Sequence, residues 1–418
     1  MSKTNLQSKV DYDSHPTEIV KPGVLSSEVG IQQLREKIPR HCFKPSYVTS
    51  FYYLFRDIFF AITLGLLAFY GIRRLPSVYI RAVVWALYGY SQGLVLTGLW
   101  VLGHECGHMT LSPSRTLNDA VGFILHSSLL TPYFSWKSTH RRHHIYANNL
   151  DKDHNYVPPT RTAYIASLIF SAQRLEELTE DSPFVILIRI MLQQLLGFPW
   201  YLLTNITAAQ GSLHQKQSDS FLGNSHFLPT STLFRPEEAS LVIMSDLGTA
   251  AMAFVLWYCS STLGLPVMLL YVQPWLWVNH WIVAITYLHH THPNLPKYDN
   301  EVWTFLRGAT PTMDRNFGWT GRYFFHNIID YHVIHHLFPR IPFYHAEEAT
   351  EAIIPLLGKY YHCDRSSSFL FGIWIAFTKC QWVEPDRVDV EPKDRVMWYR
   401  GGPSPPPETS MGRKGWKF

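Results

Sequence analysis

The pentapeptide His104-Glu105-Cys106-Gly107-His108 stands at the C-terminal end of a long apolar run, Val83 to Leu102. Two further histidine-rich stretches follow, His140-Arg141-Arg142-His143-His144 and His332-Val333-Ile334-His335-His336. The three stretches together hold eight histidines at helical spacing. Residues three or four apart share one face of an α-helix, so each stretch is predicted to present two or three imidazole rings to a common point.

The composition is typical of a membrane protein. Charged residues make up 16% of the 418 residues and aromatic residues 15%, with 14 tryptophans and 23 tyrosines that suit the lipid headgroup level. The mean hydropathy of -0.04 predicts that apolar spans alternate with polar segments. A net charge of +4 gives no indication of nucleic-acid binding. The five cysteines are scattered without a CxxC pair, which predicts neither a disulfide framework nor a cysteine zinc site.

Four apolar runs are each close to the roughly twenty residues that cross a bilayer. They are Phe51 to Ile72, Ile80 to Leu102, Leu241 to Leu263 and Pro266 to Leu288. Short connections join the first pair and the second pair, which predicts two helical hairpins. Residues 1–30 are predicted to be a disordered N-terminal tail without the apolar core of a cleaved signal, and residues 391–418 a C-terminal tail. Residues 31–390 form the predicted membrane domain.

Two other apolar segments are predicted to lie in the membrane interface. Leu117 to Trp136 is interrupted by polar residues, and Phe184 to Ile206 contains Arg189 and Pro199. With only two hairpins crossing the bilayer, the chain returns each time to its starting side, so all three histidine stretches share one face. The excess of Lys and Arg on that side favours the cytosol.

The number of histidines is more informative than their type. Neutral imidazole binds Zn, Cu, Fe and Ni, so the ligand alone leaves the metal open. Eight ligands are too many for one tetrahedral zinc and favour two ions with open positions. Asp151, Asp153, Asn327 and Asp330 are candidates for orienting the rings through their second nitrogen. With two more histidines after the fourth apolar run, the predicted metal ligands are His104, His108, His140, His143, His144, His290, His292, His332, His335 and His336.

Two other classes of protein compete with this interpretation. The first stretch matches H-E-x-x-H, in which Glu105 would be the general base of a membrane zinc protease. A protease would leave the second and third stretches unexplained. A histidine-rich metal transporter would carry its ligands inside the spans near the midplane, whereas these stretches lie at the ends of spans.

The histidine stretches and several flanking segments resemble the membrane-bound fatty acid desaturases, and more narrowly the oleate Δ12 desaturases of fungi and plants. The resemblance covers roughly residues 30 to 385. The segments that carry it are Ile38 to Phe43, Pro132 to Lys137, Ile285 to Pro293, Phe325 to Asp330, His336 to Tyr344 and Glu347 to Thr350.

The resemblance implies an all-α, multi-pass membrane protein of the endoplasmic reticulum. Four transmembrane helices in two hairpins would carry a cytosolic helical cap that holds a histidine-rich di-iron site. Such an enzyme uses O2 to remove two hydrogens from an acyl chain, carried as a lipid or as acyl-CoA, and converts oleoyl to linoleoyl groups. A His-Pro-Gly-Gly haem-binding motif does not occur in this sequence, which implies an external cytochrome b5 and its NADH-dependent reductase as electron donors.

The sequence is compatible with more than one product. The second stretch carries Arg141-Arg142 where many fungal Δ12 enzymes have a lysine, and the segment after His108 is also unlike the commonest pattern. Related enzymes on the same scaffold make acetylenic or hydroxylated fatty acids, because the first hydrogen abstraction is shared.

Overall fold

The computed structural model describes residues 30–164, 183–214, 220, 222–385 and 395–401. The helices in these ranges are α1 (Ile31–Lys37), α2 (Tyr47–Gly71), α3 (Val78–Gly107), α4 (Arg115–Ser128), α5 (Tyr133–Tyr146), α6 (Pro183–Thr204), α7 (Ala239–Ser261), α8 (Gln273–His290), α9 (Phe305–Ala309), α10 (Gly318–Tyr323), α11 (His332–Leu337), α12 (Ala346–Leu357) and α13 (Phe369–Lys379). The strands are β1 (Pro296–Tyr298), β2 (Asp314–Arg315), β3 (Cys363–Asp364), β4 (Trp382–Pro385) and β5 (Val396–Arg400). All but residue 30 of the predicted N-terminal tail, and residues 402–418 of the C-terminal tail, lie outside the described residues.

Four of the described helical segments are long and apolar enough to cross a membrane. They are Tyr47–Arg74, Val78–Gly107, Phe184–Thr204 and Pro236–Ser261. The sequence also predicts four membrane spans, but not the same four segments. The segment predicted to lie in the interface, Phe184 to Ile206, belongs to the four in the structure, and the predicted fourth span does not. That span forms a π-helical turn, Met268–Val272, followed by α8, whose polar residues Gln273, Asn279 and His280 lower its hydropathy.

The central helix of the fold is α3. In its most apolar stretch 56% of the residues are buried inside the protein, against 17% in each of the other three segments. The helix extends to Gly107, past the predicted end of the apolar run, so His104 lies in its last turn. The N–H of His108 donates to the carbonyl of Glu105 at 3.1 Å and ends the helix there. The first histidine stretch is therefore held rigidly by the most enclosed helix.

Helix α8 packs mainly against α3 and α6, whereas its neighbour in sequence, α7, packs against α4 and α5. Gly93 permits the close approach of α8 to α3, because a Cβ there would overlap the Cβ of Trp277. The two helices of the predicted second hairpin therefore pack mainly against other helices rather than against each other. This arrangement matters for the site, because α8 ends in His290, whose ring contacts those of His143 and His336.

The predicted C-terminal tail contributes a strand to the folded protein. Strand β5 lies between β1 and β4 in an antiparallel sheet, with Lys297 opposite Met397 and Glu384 opposite Trp398. Met397, Trp398 and Tyr399 are buried. Strand β5, which follows the predicted boundary at residue 390, therefore packs against strands from before that boundary. A second, parallel pair joins β2 to β3. The sequence from Ala346 to Leu357 is readable as a helix, and α12 has these bounds.

Candidate metal centre

Five histidines converge where the C-terminal end of α3 meets α5 and α11. They form the five-histidine group, in which one ring nitrogen of each residue lies within 4.8 Å of those of all the others. Nε2 of His140 lies 2.9 Å from Nε2 of His104 and 3.0 Å from Nε2 of His108. It also lies 3.1 Å from Nε2 of His144. The members of the group are His104, His108, His140, His144 and His335.

Three buried histidines form a second cluster, the three-histidine group, from α5, α8 and α11. They are His143, His290 and His336. Nε2 of His143 lies 3.3 Å from Nε2 of His290. The ring of His336 stacks on that of His144, a member of the five-histidine group, with centroids 4.3 Å apart. The two groups therefore adjoin each other.

Adjacent histidines in the second and third stretches serve different groups. His143 belongs to the three-histidine group and His144 to the five-histidine group, and His336 and His335 divide in the same way. Consecutive helical residues point about 100° apart, so neighbours cannot share one ion as easily as residues one turn apart. The second stretch still presents two rings, those of His140 and His144, to one point, as predicted, whereas the third stretch divides His335 and His336 between the groups. His104 and His108 do face one point.

The structure leaves two of the ten predicted ligands outside both groups. The Nδ1 of His332 donates to the carbonyl of Ile328 at 3.0 Å, and its ring stacks on His289 at 4.1 Å and faces the cavity described below. The Nδ1 of His292 accepts a hydrogen bond from the backbone N–H of Asn294. His292 follows α8, where the chain has left the helix that directs His290 to the centre.

One of the four predicted orienting residues contacts a histidine of the groups. Oδ1 of Asp153 lies 2.7 Å from Nδ1 of His143, and the same carboxylate accepts the backbone N–H groups of Asn148 and Asn155. Since Nδ1 of His143 is held in this way, its Nε2 is directed to His290. Asp151 instead accepts the N–H of Asn300. The backbone N–H of Asn327 donates to the carbonyl of Gly321, and Asp330 lies 3.9 Å from the guanidinium of Arg322.

Glu105 contacts the side of the His104 ring that faces away from His140. One carboxylate oxygen is 3.3 Å from Nδ1 of His104, and the other accepts a hydrogen bond from the Thr110 hydroxyl at 2.8 Å. The carboxylate is buried and contacts the ring nitrogen opposite the Nε2 that meets His140. This contact places Glu105 where it can orient the ring of His104.

Three further residues hold the histidine-bearing helices, and sequence reasoning missed them. Buried Lys297 donates to the carbonyl of His290 at 3.0 Å, and the hydroxyl of Tyr399 donates to the same oxygen at 3.2 Å. Both satisfy a free carbonyl at the end of α8. Asp314 accepts the N–H of Val333 at 2.7 Å and so caps α11. No sequence spacing connects these residues with their partners, because each pair meets only through tertiary structure.

The electrostatics of the site suit a bound cation. Burial lowers the pKa of His108, His140, His144, His335 and His336 well below the usual value, and the neighbouring histidines lower it further. These rings are therefore neutral at physiological pH, which is the form that binds metals.

The unsatisfied nitrogens provide a test of whether a metal fits. Nε2 of His335 and both ring nitrogens of His336 are buried without a hydrogen-bond partner among the described residues. One nitrogen of His140 also faces three others at about 3 Å, although a ring nitrogen makes only one hydrogen bond of this kind. Two nitrogens bound at about 2.1 Å and at right angles to one ion lie about 3 Å apart. The residues thus fit a metal in the five-histidine group.

An apolar cavity of about 650 Å³ adjoins both groups. Its volume lies within the usual range for small-molecule sites. His140 and His104 of the five-histidine group line it, as do His143 and His290 of the three-histidine group. The remaining wall comes mostly from α3, α6 and α8, and includes Trp100, Val101, Leu196, Phe198, Val283 and Ile285.

These features define a helical membrane protein with a two-part, histidine-rich candidate metal centre beside an apolar cavity. Residues 80–367 match the sequence profile named fatty acid desaturase. The chain is 38% identical over 422 residues to an oleate hydroxylase of Claviceps purpurea, covering 96% of this chain and 88% of the relative. It is 40% identical over 371 residues to a Δ12 fatty acid desaturase of Mortierella alpina, covering 87% and 90%. An oleoyl-12-hydroxylase of Ricinus communis is 39% identical over 372 residues, covering 88% and 89%.

The chain therefore belongs to the fatty acid desaturase family, and it is an oxidoreductase. This membership confirms the resemblance found in the sequence. It also removes the zinc protease and the metal transporter as explanations of the first histidine stretch, because the matched region contains all three stretches.

Proposed function

We propose that this protein is an O2-dependent acyl-chain desaturase of the Δ12 type, which converts oleoyl to linoleoyl groups with two iron ions. The five-histidine group and the three-histidine group would each hold one ion, and His332 would line the approach. His292 is left out of the proposed ligand set. The bound iron pair would supply the oxidation: O2, two electrons and two protons take two hydrogens from a –CH2–CH2– unit and leave a double bond and two waters.

The observation that carries the proposal is the contact of one apolar cavity with both histidine groups. An extended acyl chain in this cavity would contact His104 and His140 of the five-histidine group and His143 and His290 of the three-histidine group. Val101 and Ile285 line the cavity walls, and such apolar side chains would pack against methylene groups without forming hydrogen bonds to the chain. Which carbon pair reacts would then depend on how far the chain enters, because positioning determines the reacting bond.

The residues around the groups also support an oxidative role. The rings of Trp100 and Trp136 stack on histidines of the five-histidine group, Trp136 on His140 at 4.5 Å between centroids. These large apolar surfaces exclude bulk water from the reacting side.

We further propose that electrons come from a separate cytochrome b5 and its NADH-dependent reductase. The protein would lie in the endoplasmic reticulum membrane with the histidine groups on the cytosolic side. The substrate would be a fatty acyl lipid or acyl-CoA that enters the cavity from the membrane.

A second candidate is 12-hydroxylation of an oleoyl group. The specific support is the alignment with the oleate hydroxylase of Claviceps purpurea, which spans 96% of this chain. Hydroxylation and desaturation begin with removal of a hydrogen from the same region of the chain, so the cavity serves both outcomes.

Expression in a yeast that lacks polyunsaturated fatty acids tests the proposal. Gas chromatography with mass spectrometry of the total lipids is expected to show linoleate formed from oleate. A 12-hydroxy product would instead favour the second candidate. Iron-loaded protein that changes no acyl chain, although a Δ12 desaturase is active in the same strain, would refute both.

Filling the cavity is expected to reduce turnover without removing the metal. Val283→Phe adds a ring to the wall formed by α8, where Val283 faces Gly197 of α6. We expect conversion of oleate to fall by about 10- to 100-fold, because a misplaced chain reacts poorly. Conversion of shorter acyl chains should fall less than conversion of oleate. The measurements are product yield and iron content of the purified protein.

The matched control is Val255→Phe on α7, where the side chain is 47% exposed and lies outside the cavity wall. It adds the same ring and should retain both iron and turnover. Equal turnover in the Val283 variant and the wild type would show that substrate does not occupy this cavity.

A further inference from the structure

A second type of donor cluster lies away from the histidine groups, where the segment after α1 meets the start of α12. One donor atom from each of four residues falls within 4.8 Å of the others. We call it the His-Cys-Glu cluster; its members are His41, Cys42, His345 and Glu348. Two come from the N-terminal segment and two from a segment about 300 residues later in the chain.

Short, well-fixed elements hold the four donors. His41 and Cys42 belong to the 3-10 turn Arg40–Phe43, in which the N–H of Cys42 donates to the carbonyl of Pro39 at 3.0 Å. His345 precedes α12, and Glu348 lies in its first turn. Residues three apart at a helix start share one face.

The packing beneath the cluster fixes these elements against each other. Leu34, Ile38 and Cys42 belong to the same buried core as Ala346 and Ala349 of α12. Cys42 is fully buried, whereas His41 and Glu348 are exposed at the surface. The thiol is therefore fixed, while the other donors remain open to an ion from solvent.

We propose that the His-Cys-Glu cluster is a structural site for a borderline-soft divalent cation, with zinc as the best fit. It would hold the N-terminal segment to α12, independently of the oxidation centre.

The distances between the donors support this assignment. Sγ of Cys42 lies 3.7 Å from Nε2 of His41 and 3.6 Å from Oε2 of Glu348. Tetrahedral zinc, with bonds of about 2.0–2.3 Å, separates sulfur from nitrogen or oxygen ligands by about 3.5 Å. Nε2 of His41 and Oε2 of Glu348 are closer, at 2.8 Å, and form a hydrogen bond. Both side chains are about half exposed and can separate to admit an ion.

The donor set is also chemically suitable. Imidazole, thiolate and carboxylate together favour zinc over magnesium or calcium, which prefer oxygen ligands. Binding would break the S–H bond of Cys42, release its proton to water and form a sulfur–metal bond, without any change of oxidation state. Because binding releases this proton, zinc binding would be stronger at higher pH.

Metal analysis of the full-length, iron-loaded protein in detergent tests the proposal. After equilibration with zinc chloride and removal of excess metal, wild type is expected to retain one zinc per chain that Cys42→Ala lacks. Iron content should be the same in both. Zinc should raise the melting temperature of the wild type and not that of the variant.

Cobalt substitution identifies the thiolate directly. Wild type with Co²⁺ should show a sulfur-to-cobalt charge-transfer band, and Cys42→Ala should not. Cys363→Ala is the matched control, because Cys363 is exposed and belongs to none of the donor groups in the described residues; it should keep the band.

Two surface variants distinguish loss of zinc binding from a loss of stability. Because Cys42 is buried, its replacement can lower stability by itself. His345→Gln and Glu348→Gln change partly exposed positions and are expected to weaken zinc binding at least about 10-fold while melting like wild type in EDTA. Zinc retention by Cys42→Ala equal to wild type, or a cobalt complex without the sulfur band, would overturn the proposal.

Discussion

His140→Ala is expected to abolish product formation and to lower the iron content of the purified protein. Nε2 of His140 is the nitrogen closest to three other histidines of the five-histidine group, so its loss opens the centre of that group. Replacing a residue that only orients a metal ligand lowers metal affinity or activity by about 10- to 100-fold. Replacing a ligand itself should lower activity by at least about 100-fold. Product yield in yeast and iron per chain are the two measurements.

The informative comparison is His292→Ala. The sequence predicts both residues as ligands, but the structure brings only His140 into a group. The His292 variant should therefore keep its iron and most of its turnover. If both variants lose iron alike, His292 returns to the ligand set; if neither does, the five-histidine group is not the metal centre.

Asp153→Ala is expected to produce the next largest loss. Its buried carboxylate accepts a hydrogen bond from Nδ1 of His143 at 2.7 Å. It also accepts hydrogen bonds from the backbone N–H groups of Asn148 and Asn155. Without it, His143 is free to rotate and the two amides lose their acceptor. We expect turnover to fall about 10- to 100-fold. Each buried donor left unsatisfied costs about 1–3 kcal/mol of folding free energy.

Asp151→Ala provides the control for this experiment. Asp151 lies two residues away and is exposed, and its carboxylate accepts only a backbone N–H from Asn300 among the hydrogen bonds described here. Its replacement should change neither iron content nor turnover by more than a fewfold. Asp153→Asn separates the two effects: it keeps an acceptor for one amide, so stability should recover more than turnover. Full turnover in Asp153→Ala would show that His143 needs no orienting partner.

Much of the fold could be predicted from local pattern. The apolar runs that begin at Phe51 and Ile80 lie in α2 and α3, and the helix expected from Ala346 to Leu357 is α12. Helical periodicity and hydropathy operate over about twenty residues, so they are visible in the sequence. Errors arose where two features compete, as in α6, whose Arg189 and Pro199 obscured an otherwise long apolar helix.

The arrangement of the centre depended on contacts between distant segments. The sequence shows that His143 and His144 are adjacent, but not that they face different groups, because this depends on how α5 lies between α3 and α8. Lys297 and Tyr399 meet at the carbonyl of His290 only after β5 joins the sheet. For the same reason the strand within residues 391–418 escaped prediction, since it is short and is stabilised by its partners.

The sequence by itself determined that this is a helical, membrane-type oxidoreductase of the fatty acid desaturase family, with eight of its 21 histidines in three stretches. Residue type and helical spacing are local properties, and they carry that information. Only the tertiary structure decided that eight histidines divide into two adjoining groups, that His292 lies apart, and that one apolar cavity reaches both groups. These features arise because the ends of α3, α5, α8 and α11 pack together, which no single segment encodes.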